Sequence, residues 1–143
     1  MLPTRATHTI SFLFPAVLFL HLLGISAELY FIEHFEDTRQ LIPLIGLALL
    51  LFSLTAYQTT KQEKLLRATV VLAFSVMLVG LLGIYFHLIG NYEFALEMYP
   101  KESRGFLFEK TLHGATPVLA PGSMIGLGLV TYIYLLLIKR SII

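Results

Sequence analysis

Six side chains in this sequence carry the two chemistries that suit a transition metal, imidazole and carboxylate: His21, Glu28, His87, Glu93, Glu97 and His113. Imidazole nitrogen with carboxylate oxygen is a donor set for Zn, Fe, Mn or Cu. Four of the six fall in a near-repeat, His21-Leu22-Leu23-Gly24 followed by Glu28 and His87-Leu88-Ile89-Gly90 followed by Glu93. On a helix His21 and Glu28 lie two turns apart on one face. His87 and Glu93 lie roughly 240° apart on a straight helix and converge only if the backbone bends at Gly90-Asn91. Glu93 with Glu97, and Glu109 with His113, are spaced i, i+4 and share a face in each case.

Three uses of this set are open. The first is a metal site. The second places His21 and His87 as axial ligands of a haem between two helices. The third needs no cofactor: acids and histidines pair with one another or line a pocket for a small polar ligand. Against the metal stand missing signatures, because the Glu-x-x-His spacing of di-metal carboxylate bundles and the His-Glu-x-x-His zinc motif are both absent. With no cysteine in the chain, thiolate nucleophiles, Cys-ligated zinc and iron–sulfur clusters are excluded. No glycine-rich phosphate loop or Gly-x-Ser-x-Gly elbow occurs. Binding, rather than catalysis, is the expected use of these residues.

The elements that would position them are set by hydrophobicity. Hydrophobic residues make up 57% of the chain and charged residues 13%, with a mean hydropathy of +0.80. A soluble domain is usually about 45–50% apolar, so this is the composition of a membrane protein. A net charge of +1, without a basic patch, gives no case for nucleic acid. Four apolar segments, about 9–32, 41–58, 67–90 and 117–138, reach the roughly 20 residues that a spanning helix needs. They lack the strict alternation of barrel strands. A single all-α integral membrane domain over residues 1–143 follows, a bundle of four transmembrane helices in contact with the lipid bilayer. The first segment is too long for a cleaved signal peptide, whose apolar run is usually about 7–15 residues; it reads as a retained helix.

Lys and Arg fix the expected orientation. Six of the ten, Arg5, Lys61, Lys64, Arg67, Lys139 and Arg140, fall at one end of the segments. The positive-inside rule makes that end cytoplasmic, with both termini inside and the His/Glu-rich segments on the outer side. The other end holds Glu28, Glu33, Glu36, Asp37, Glu93, Glu97, Glu102 and Glu109.

Two further patterns bear on architecture. Segments two and four share Ile45-Gly46-Leu47-Ala48-Leu49 and Ile125-Gly126-Leu127-Gly128-Leu129, which together with the His-x-x-Gly near-repeat suggests two pseudo-repeated helical hairpins. Gly80, Gly83 and Gly90, and the small-xxx-small run from Gly122 to Gly126, are expected to let helices approach closely. The outer segment 91–116 is expected to continue segment three until Pro100 and then to form a short surface helix over Ser103 to His113, closed by Gly114. The expected protein is a small polytopic membrane protein whose outer-face His/Glu pocket binds a metal ion or a small polar ligand. The alternative is an accessory subunit that docks onto other membrane subunits, or onto itself, and holds no cofactor.

Overall fold

The computed structural model describes residues 4–142, with side chains described from 12 to 139; the side chains of Arg5 and Arg140, used in the charge count above, lie outside that range. Among the described residues the regular elements are all helices: α1 Thr4–Phe31, α2 Thr38–Thr60, α3 Glu63–Met98, α4 Arg104–Leu112 and α5 Gly122–Ile142. Four of these, all but α4, are long and apolar enough to cross a membrane. α4 is the expected short helix between the third and fourth long ones.

Local chemistry explains where the helices begin and end. α2 starts three residues before its apolar run because Asp37 caps it, accepting from the Arg39 amide at 3.1 Å, while Gln40 Oε1 accepts from the Asp37 amide at 3.1 Å. That is a capping box, which satisfies amides left without intrahelical partners. α3 runs to Met98 and stops ahead of Pro100, which cannot continue a helix. Ser103 caps α4 by accepting from the Phe106 amide. The two short connections turn through left-handed residues, Glu33 at φ 54° and Lys61 at φ 55°.

Packing is uneven. α5 lies against α3 and α1, α3 also holds α2 and α4, and the α1–α2 pair is the loosest of the helix contacts. Leu18, Leu50, Leu127, Tyr134 and Leu135 form the centre, all at most 2% exposed. On α2 the buried set Pro43, Leu47, Leu50, Leu54 and Tyr57 follows a 3–4 spacing along one stripe. The two hairpins are therefore unequal, since α3 and α5 are closely joined whereas α1 and α2 are not.

The tight α3–α5 contact comes from glycines, but only some of those expected. A β-carbon at Gly80 would stand 2.8 Å from the Pro121 carbonyl oxygen, and one at Gly83 would stand 2.7 Å from the Pro121 side chain. One at Gly128 would stand 2.5 Å from the Ala73 carbonyl oxygen. Gly90 and Gly122 have open space around them, so neither contributes to close approach.

Hydroxyls inside the apolar helices are satisfied locally. Thr55, Thr69, Ser75 and Thr131 each donate to the carbonyl one turn back, at 2.8 to 3.0 Å. Ser53 and Thr69 also share a 2.8 Å hydrogen bond between α2 and α3. No buried side-chain nitrogen or oxygen among the described residues lacks a partner, the usual state of buried polar groups.

Candidate functional site

The end of the molecule that carries the six candidate ligands is formed by the C-terminal turns of α1 and α3, the start of α2, α4, and the approach to α5. The structure brings these residues to one end without bringing them together. Among the described residues no three of His, Asp or Glu are placed to hold a metal ion. Glu28, Glu93, Glu97 and His113 are exposed, while His21 and His87 are half-buried.

Each position has a physical reason. α3 is helical without a break through Gly90 and Asn91, so the helical register keeps Glu93 off the face that carries His87. Glu93 stays on the far side of the helix. His21 lies against α5 at Gly126, whose added β-carbon would sit 3.7 Å from His21 Cε1. His87 Nδ1 is 2.9 Å from the carbonyl oxygen of Pro117 and, as donor, ties α3 to the chain leading into α5. With Nδ1 so engaged, a metal would be left with Nε2 alone.

The residue that organises this end is Asn91. It is buried, and its amide fulfils four hydrogen bonds: Nδ2 donates to the carbonyls of Thr111 (3.0 Å) and Thr116 (2.8 Å), and Oδ1 accepts from the Thr116 amide (3.1 Å) and hydroxyl (2.7 Å). Gly114 is part of the same arrangement. Its φ is not positive, so it is not the left-handed cap expected for α4; it is small because a β-carbon there would run into the Asn91 amide. Thr111 adds a bond from its hydroxyl to the Leu107 carbonyl at 2.8 Å. Together these contacts fasten the segment 99–121 to α3, the only helix on which α4 packs among the described residues.

A fourth histidine also belongs here. His34 follows the left-handed Glu33, donates its amide to the Leu29 carbonyl at 2.8 Å, and is half-buried. Burial holds its imidazole below the ordinary value of 6.5, and the electrostatic influence of His87 adds to that. The sign of the consequence is definite. An unfolded chain binds this proton more readily than the folded one, so stability falls as the pH drops below 6.5 and levels off beneath the folded-state value. Thermal unfolding in detergent at about pH 7.5 and about pH 5 should show a larger loss for the wild type than for His34→Gln; an equal loss would contradict the assignment.

No family model, curated protein or solved structure matches the chain.

Proposed function

We propose that the protein is a non-catalytic accessory subunit of a membrane assembly, a four-helix bundle in a lipid bilayer that associates through the uncovered flank of α1. One observation carries this reading: the apolar surface of α1 is divided into stripes, and one of them has nothing on it. Leu18, Leu22 and Ile25 are buried. Leu13, Val17, Leu20, Gly24 and Phe31 fall within about 60° of one another on the other side. The large members of this stripe are 51–80% exposed, and Gly24 has open space where a side chain would stand. A glycine between large apolar residues is a notch of the kind that lets a second membrane helix approach closely.

The state of the opposite candidate supports the choice. A ligand pocket would be expected to contain convergent donors or a buried polar group awaiting a partner. Here the acids face outward, His87 and Asn91 serve internal hydrogen bonds, and no buried side-chain polar atom among the described residues is unpaired. In this reading the eight carboxylates of that end lie on the outer side and the Lys/Arg-rich end is cytoplasmic, following the charge bias of the sequence.

Extraction from native membranes in mild detergent tests the proposal. The wild type is expected to migrate as a discrete species well above its 16.1 kDa chain mass, and Gly24→Leu is expected to release it. A monomer carrying near-stoichiometric transition metal or a haem absorption band would overturn the accessory reading in favour of a cofactor site.

A further inference from the structure

The loose α1–α2 seam is open along its length. Two adjoining clefts, of about 210 and 170 Å³, lie in it. Phe19, Leu22 and Leu51 line both. On α2 the lining residues Leu44, Ala48, Leu51, Thr55 and Gln58 recur at i, i+4, i+7, i+11 and i+14, a stripe of about 21 Å along the helix axis. Half of a hydrocarbon core of roughly 30 Å is shorter than that, so the groove accepts a whole acyl chain of one leaflet.

Its two ends differ. Towards Ser26 the groove is lined by Leu22, Leu23, Leu44 and Leu47, whereas at the other end it meets Gln58, whose amide has no hydrogen-bond partner among the described residues. One turn further is Lys61, whose ammonium lies 5.7 Å from the centre of the Tyr57 ring. The described charged side chains at this end are Lys61, Lys64, Arg67 and Lys139 against the single acid Glu63, which is shared by Arg67 at 3.4 Å and Lys139 at 4.0 Å. An apolar slot that ends at an amide donor, with the Lys61 cation one turn beyond along α2, is complementary to a chain with a negatively charged head.

We propose that the α1–α2 groove holds one acyl chain of an anionic phospholipid, with the headgroup at Gln58 and Lys61. The proposal rests on the membrane placement above, but not on the partner; it uses the α1 stripe of Pro15, Phe19, Leu22 and Leu23 and leaves the Leu20–Gly24 flank free.

Native mass spectrometry of the detergent-solubilised chain, with phosphatidylglycerol and phosphatidylcholine supplied in equal amounts, tests it. One phosphatidylglycerol should be retained in preference by roughly fivefold, the ratio expected of one cation beside an anionic head. Ala48→Phe fills the groove from an exposed position and should remove retention of both lipids. Gln58→Leu with Lys61→Asn, the asparagine chosen because it tolerates left-handed backbone, should leave a chain bound and abolish the preference. Equal retention of the two lipids by the wild type, or an unchanged preference in the double variant, would overturn the proposal even if Ala48→Phe failed to fold. Recovery of the protein from cells without detergent would instead overturn the membrane placement itself.

Discussion

Gly128→Ala is expected to destabilise the protein by about 1–3 kcal/mol although it adds a single methyl group. The added carbon would overlap Met77 Cγ and stand 2.5 Å from the Ala73 carbonyl oxygen. Met77 can rotate away, but a backbone oxygen inside α3 cannot, so α3 and α5 would have to separate. Separation loosens the packing of Ala73, Val76 and Leu127, each at most 1% exposed. Gly90→Ala is the matched control. It lies in the same pair of helices with open space around it, and there the better helix propensity of alanine is expected to leave stability unchanged or raise it by up to about 1 kcal/mol. Thermal unfolding of both variants in one detergent decides the matter. Equal stability of the two would show that the close approach at Gly128 does not hold these helices together.

The second large effect is expected at Asn91. Asn91→Leu preserves size while removing all four hydrogen bonds, and it strands the Thr111 and Thr116 carbonyls and the Thr116 amide where they are buried or partly buried. At about 1–3 kcal/mol for each unsatisfied group, partly relieved by water, a loss of roughly 2–5 kcal/mol follows. The damage is expected to be local first: amide exchange should accelerate across 99–121, and a protease should nick that segment before the long helices open. Gly114→Ala should copy the local effect by pushing the Asn91 amide out of place. Asn91→Asp should fall between, because a carboxylate still accepts from the Thr116 amide and hydroxyl but repels the two carbonyls. Unchanged protection in Asn91→Leu would mean that this segment is held by the packing of Leu107 and Val118 instead.

How far the sequence revealed this molecule depends on the kind of signal. Long apolar runs marked the four long helices, and Ser103 with Pro100 marked the short one, because hydrophobicity and capping are local properties. The boundaries moved where a cap extended a helix beyond its apolar run, as Asp37 and Gln40 do for α2. The turns at Glu33 and Lys61 were illegible, since neither left-handed position carries the glycine or asparagine that usually announces one. Glycine signals pointed to α3 and α5, yet could not tell Gly80 and Gly83, where an added β-carbon would meet Pro121, from Gly90 and Gly122, where it would meet open space, and they passed over Gly128. That distinction is set by helix rotation, which a uniformly apolar segment does not encode.

The ligand set had the same weakness. Shared depth put His21, Glu28, His87, Glu93, Glu97 and His113 at one end, but depth is not convergence, and an unbroken α3 keeps Glu93 off the face of His87. Asn91 was readable only as part of a possible bend, whereas its actual partners lie 20 and 25 residues further along the chain. His34 was overlooked because it follows the apolar run and belongs to no spacing pattern. A histidine between two helices, beside acids that belong to a connection, was the one available signal.

The central claim is that the protein acts by association along α1, and cross-linking from two comparably exposed positions tests it most directly. A photoreactive residue at Leu20, 65% exposed on the open stripe of α1, is compared in native membranes with one at Phe52, 73% exposed on α2. The account predicts a discrete protein adduct from position 20 and lipid adducts alone from position 52. Protein adducts from neither position, or the same ones from both, would contradict it.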